Sequence, residues 1–178
     1  MNNFTLEELK NKYEDIEIDI LDNIPYLTFP EDMIPDFYSE IYNFVKNYDG
    51  NIFIKNSVMG QASKDNFLKA EEILNDIVRR VDESWTDKQK IAFIHYQMGK
   101  LVSYVPDFNF QGNISQVAQD SRNIWQSIIN GQSVCNGVVS IERNLLARIG
   151  ISSKELCSES HSFVLAETEE GNIILDPT

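Results

Sequence analysis

Three residues in the last third of the chain have the types and settings that acyl-transfer chemistry uses: Cys135, His161 and Asp176. Cys135 stands in GQSVCNG, residues 131–137, and is one of only two cysteines. A structural cysteine usually hides among large apolar neighbours, whereas this one sits in a small, polar turn bracketed by glycines. The residues after it carry a helical period, so Cys135 opens or precedes a helix. A helix N-terminus offers unpaired N–H groups and partial positive charge, which favour thiolate over thiol. The same N–H groups can hold an oxyanion. His161 opens one strand-like run and Asp176 ends the next. If these runs pair through the turn at Thr168–Gly171, the two residues are near-neighbours across a hairpin. A carboxylate beside an imidazole fixes its tautomer and stabilises the imidazolium. The sheet would still have to pack against the start of the cysteine helix, a contact that no local pattern reveals.

The elements that must position these residues are legible from periodicity. CNGVVSIERNLLARIG places Val138, Ile141, Leu145 and Ile149 on one helical face and stops at Gly150. SRNIWQSIING reads as a short helix closed by Gly131, a natural C-terminal stop. Thr86 and Gln89 form a capping box ahead of a stripe at Ile91, Ile94, Met98 and Leu101. VPDFNFQGNISQ breaks that helix with Pro106 and Gly112. Between Ser63 and Val81, Phe67, Ala70, Ile73, Leu74, Ile77, Val78 and Val81 mark a further helix.

Nearer the start, Thr5 and Glu8 cap a short helix over about 5–14. Pro35 suits the first position of a helix that ends near Asp49-Gly50. IEIDI alternates like a strand or forms an extended arm, and NIFIK is a short strand or a buried loop. KELC, HSFVLAE and NIILD are short strand-like runs, the last two joined by a turn at TEEG. The expected fold is α+β: a mainly helical N-terminal half, then a small antiparallel sheet packed on the cysteine-bearing helix.

NGQSVCNGVVSIERNLLARIGI, HSFVLAE and GNIILDPT together resemble the core of the transglutaminase-like superfamily, a papain-like cysteine fold. The spacings, 26 residues from Cys135 to His161 and 15 from His161 to Asp176, look normal for that family. WTDKQKIAFIHYQMGKLVSYVPDF is similar to the helix that precedes its catalytic core. The resemblance covers about 85–178, leaving 1–84 as a helical region of unassigned role. It implies Cys135 as nucleophile, His161 as general base and acid, and Asp176 as the orienting carboxylate, with no cofactor and no metal. Phe163 stands where the family more often has Trp. The family sheet usually continues past Asp-Pro-Thr, so the sequence reads as C-terminally trimmed or as a minimal sheet, with Asp176 expected to fray. Tyr104, Gln111 and Gln116 lie where the second oxyanion donor would come from, and none matches a motif.

Composition narrows the partners. With 15 basic and 28 acidic side chains the net charge is −13, which argues against binding a nucleic-acid backbone or an anionic membrane. A basic partner or a neutral small substrate fits the charge better, while the resemblance implies a protein or peptide substrate. No apolar run approaches a membrane span, and MNNFTLEELKNKYEDIEIDI lacks the basic start and apolar stretch of a signal peptide. The expected location is therefore cytoplasmic, or exported without a cleavable signal. Two cysteines are too few for a disulfide framework.

Blander readings apply elsewhere. Cys157 reads as a buried strand residue, and a zinc site at Cys157 and His161 would need two further ligands that no cluster supplies. His95 reads as a packed or satisfied core histidine, and Trp85 and Trp125 as helix-packing anchors. Glu71-Glu72 and Glu169-Glu170 read as solvated surface. The leading expectation is hydrolysis through a Cys135 thioester, as a cysteine peptidase or deamidase. Transfer to an amine, as in a transglutaminase, uses the same three groups. The other class is a binding or scaffold domain that keeps the fold, with 1–84 engaging a partner. Residues 1–84 are also candidates for an inhibitory or substrate-recruiting segment over the cleft.

Overall fold

The computed structural model describes residues 5–29, 35–56, 60–105, 123–159 and 161–178. Each helix that the periodicity marks is formed. α1 (Leu6–Lys12) begins at the Thr5–Glu8 capping box, α3 (Lys64–Arg79) at Ser63 and α4 (Asp87–Leu101) at the Thr86–Gln89 box. α2 spans Pro35–Asn47. α5 (Ile124–Asn130) is capped by Asn123 and ends on Gly131, whose φ of 67° is the left-handed conformation that glycine adopts without penalty. α6 (Cys135–Arg148) is the cysteine-bearing helix.

The fold is α+β, as expected, with more sheet than the sequence reading held. β1 (Glu17–Leu21) and β2 (Ile24–Phe29) form a hairpin, so IEIDI is a strand and not a free arm. Its two-residue turn is Asp22-Asn23, at φ 52° and 62°. Both residue types tolerate this conformation, and the turn matches the twist of paired strands. β3 (Phe53–Asn56) lies parallel to β2, and β4 (Gly60–Ser63) closes a four-stranded sheet in the order β1-β2-β3-β4. β4, GQAS, has no β-branched or aromatic residue, which is why no strand pattern marks it. β5 (Ser103–Tyr104) and β6 (Gln132–Ser133) form a short parallel ladder. β7 (Ser152–Cys157), β8 (Ser162–Thr168) and β9 (Gly171–Leu175) form the antiparallel sheet that packs on α6.

Residues 1–84 and 85–178 share one hydrophobic core. Trp125, fully buried, meets Phe29 and Phe67 edge-on, at ring separations of 6.2 and 5.8 Å. Gly60 allows a second junction. A Cβ there would stand 2.9 Å from Asn123 Nδ2, the group that donates to the Gln61 carbonyl. One expectation is overturned. Glu71 is not solvated surface but wholly buried, because it lies on the α3 face that carries Phe67, Ala70 and Leu74. The guanidinium of Arg148 on α6, itself almost wholly buried, donates to it at 2.9 Å and donates to Asn75 and Asn144 as well. Glu72, next in sequence, is exposed and accepts from the Tyr42 hydroxyl. Among the described residues, no helix is long and apolar enough to cross a membrane.

Candidate active site

The lengths of two consecutive elements bring the site together. α6 has 14 residues, about 21 Å of helix. The chain reverses through Gly150 at φ 79° into β7, whose six residues span about 20 Å while packing against the same helix. β7 therefore runs back over nearly the whole length of α6, and the link to β8 lies at the Cys135 end. The Ser158 N–H donates to the His161 carbonyl at 2.8 Å, which continues the β7–β8 ladder one pair beyond Cys157↔Ser162.

Strand register then supplies the acid. Val164 pairs with Leu175, so Asp176 follows β9 opposite Phe163 and diagonal to His161, on the same face of the sheet. His161 Nε2 lies 3.0 and 3.2 Å from the two carboxylate oxygens of Asp176. The Thr178 hydroxyl and amide both donate to Asp176 Oδ1, at 2.7 and 3.2 Å, which ties down a residue expected to fray. The Phe163 ring meets His161 edge-on, with centroids 4.6 Å apart. Burial pushes the Asp176 carboxyl upward, but the Thr178 hydroxyl and amide and the His161 ring outweigh it and hold it below the ordinary carboxylate range. An Nε2–H donated to that carboxylate leaves Nδ1 as the basic nitrogen of the ring.

Cys135 is a free, half-buried cysteine at the first position of α6. Its thiol is not hydrogen-bonded to His161 among the described residues; the structure pairs His161 with Asp176, and the lengths of α6 and β7 are what argue that the pair lies toward the cysteine end. The N-cap of this helix is Val134, which has no side-chain acceptor. By contrast, Thr5, Ser63, Thr86 and Asn123 cap α1, α3, α4 and α5 through their side chains. The first-turn N–H groups beside the thiol are thus left without the side-chain partner that α1, α3, α4 and α5 have, a setting suited to an oxyanion. The β5–β6 ladder places Tyr104 opposite Ser133, two residues before Cys135, and Tyr104 is exposed. Gln111 and Gln116 lie outside the described residues.

Other side chains depart from the sequence reading. Cys157 is exposed at the end of β7 rather than buried in it, because the strand's last residue reaches past the helix it covers; its Sγ lies 3.7 Å from Ser162 Oγ. His95 is a satisfied histidine but not a core one. Its Nδ1 lies 2.9 Å from Glu142 Oε1, with 38% of the side chain exposed. Glu142 is wholly buried and escaped the sequence reading, although an acid directly after Ile141 in the apolar stripe of α6 was a usable signal. In the sequence Thr178 only ends the Asp-Pro-Thr stretch, yet it anchors Asp176. Trp125 is the anchor expected, and Trp85 packs on Phe93 at 5.4 Å.

No protein-family profile matches this chain, and no curated protein does. Among solved structures, LapG of Legionella pneumophila is similar at 14% identity and a TM-score of 0.44, over 79% of this chain and 72% of that one. The EGTA-treated form of LapG gives 13% identity and a TM-score of 0.42, over 79% and 70% of the two chains. With TM-scores below 0.5, neither similarity bears on what this chain does.

Proposed function

We propose that this chain is a cysteine-dependent acyl-transfer enzyme acting on a peptide or carboxamide bond of a protein or peptide substrate, with water as the usual acceptor. The observation that carries the reading is the His161–Asp176 pair, with Nε2 committed to the carboxylate. Nδ1 takes the thiol proton, and the thiolate attacks the carbonyl carbon to form a C–S bond. The uncapped N–H groups of α6 receive the negative oxygen. The intermediate collapses as the C–N bond breaks, His161 gives its proton to the departing amine, and a thioester remains. Water attacks the thioester while Nδ1 takes its proton. The C–S bond breaks, releasing the carboxylic acid and returning the sulfur to Cys135. An amine in place of water gives the transferase outcome through the same steps.

The two cysteines provide the test. Limiting iodoacetamide near pH 6, with adducts mapped by mass spectrometry, sets accessibility against activation. Accessibility alone favours Cys157, which is the more exposed. Activation favours Cys135, with labelling slowed about tenfold or more in His161→Ala. Labelling of Cys157 first, or labelling of Cys135 that ignores the His161 substitution, would refute the enzyme reading.

A further inference from the structure

The four-stranded sheet has one covered edge and one open edge. β4 is closed off by α5, where Asn123 Nδ2 donates to the Gln61 carbonyl and packs against Gly60. β1 forms the other edge, hydrogen-bonded to β2 alone among the described residues. Its hairpin fixes which backbone groups are taken. Across a two-residue turn the closing pair, Leu21↔Ile24, is hydrogen-bonded, and such pairs alternate along the ladder. Asp19 and Glu17 are therefore bonded to Tyr26 and Thr28, while Ile20 stands opposite Pro25, which has no N–H to give. The N–H and C=O groups of Ile18 and Ile20 point outward along the free edge.

An open edge is a template for pairing, and proteins commonly blunt it with lysine, proline, a bulge or a covering element. β1 has none of these. Its ladder is continuous, and Ile20 and Leu21 are 66% and 54% exposed. Its charges are all acidic. Glu14, Asp15, Glu17, Asp19 and Asp22 are exposed, and residues 13–29 contain no lysine, arginine or histidine. Glu17 and Asp19 share the outer face of the sheet, where Lys55 stands two strands in, over the Tyr26 ring at 4.6 Å.

We propose that β1 is a docking edge for an extended basic segment of another protein, which adds as a fifth strand antiparallel to β1. Backbone bonds to Ile18 and Ile20 hold the segment, and side-chain alternation selects it. Residues opposite Glu17 and Asp19 are lysine or arginine. Those opposite Ile18, Ile20 and Leu21 are apolar and cover side chains now exposed. From N- to C-terminus the segment reads apolar-apolar-basic-apolar-basic. The net charge of −13 steers such a segment in from solution. A second copy of this chain is a poorer occupant. Antiparallel β1 pairing centred on Asp19 sets Asp19 against Asp19, and centred on Ile18 it sets Glu17 against Asp19, both like-charge contacts. The edge belongs to residues 1–84, and the inference goes beyond the chemistry at Cys135.

Fluorescence anisotropy with a labelled Val-Val-Lys-Val-Lys peptide tests the proposal on the intact chain. Binding should saturate at or below millimolar peptide. It should be lost when the second and fourth residues, whose N–H groups face β1, are N-methylated, because charge survives that change and strand pairing does not. Glutamate in place of both lysines should abolish binding as well. On the protein side, Glu17→Gln with Asp19→Asn should weaken it about threefold or more. Ile20→Pro should weaken it about fivefold or more, since it removes an outward donor and spares the β1–β2 bonds. The charge variant lies at exposed positions and keeps the test open if the proline variant does not fold. Absence of saturable binding, equal binding of the N-methylated peptide, or equal binding of the glutamate peptide overturns the proposal. So does a dimer in sedimentation that Ile20→Pro dissolves, which would make a second copy the occupant.

Discussion

The two ends of α6 are built on opposite principles. At the C-terminal end, Arg148 is almost wholly buried and bonds to Glu71, Asn75 and Asn144, so every element of that cluster is fixed by another. At the N-terminal end, Cys135 is half-buried behind an uncapped turn, and Asp176 and His161 remain partly open to solvent. A locked, buried foundation and a solvent-open site divide the work. The first fixes where the helix lies, and the second leaves polar groups free to meet a substrate.

The comparison can be broken most severely at the locked end. Arg148→Met strands Glu71 as a buried unpaired charge and should cost about 3–5 kcal/mol of unfolding free energy in urea titrations. Adding Glu71→Leu should restore most of that loss, since a buried ion pair exchanged for apolar side chains is often nearly neutral. Failure of the double variant to recover would mean that the cluster does more than fix the helix.

At the open end the expected effect is smaller and falls on reactivity. Asp176→Asn removes the charge opposite Nε2, and Cys135 alkylation near pH 6 should slow about tenfold, the size of one charge-assisted hydrogen bond. Stability should change by less than about 1 kcal/mol. A large loss of stability with unchanged labelling would reverse the division between the two ends.

The smallest effect concerns pH. Asp176 is held below the ordinary carboxylate range, so its bonds add stability above that range, and this is lost as pH falls through the depressed value. Thr178→Val removes the hydroxyl and returns Asp176 toward the ordinary range. Thermal unfolding against pH should then show a variant less stable than wild type at neutral pH but with a smaller acid-side loss, the two profiles converging at low pH. Superimposable profiles would show that Thr178 does not anchor the carboxylate.

The helices were legible because their signals are local. Thr5, Ser63 and Thr86 cap them, Gly131 stops one, and apolar stripes mark their inner faces. The hairpin that joins His161 to Asp176 was legible for a related reason, since a turn and a period of two fix which residues share a face. What escaped depends on distant partners. GQAS is a strand only because Phe53–Asn56 lies beside it. Glu71 and Glu142 are both acids on helices, and nothing within either helix tells which neighbour waits, a guanidinium for one and an imidazole for the other. The resemblance pointed to three residues, but the carboxylate two turns below the cysteine lies outside any motif.

The position of Trp125 between Phe29 and Phe67 limits how residues 1–84 can take part in control. An inhibitory leader that works by being cut off must leave behind a surface that tolerates water. Here removal would strip the covering rings from a fully buried indole and open the shared core. Any influence of the N-terminal region on the cysteine must therefore be exerted while it stays attached, by shifting in place. The two regions are also suited to reassembly: supplied as separate fragments, they would be expected to find each other through that same aromatic contact.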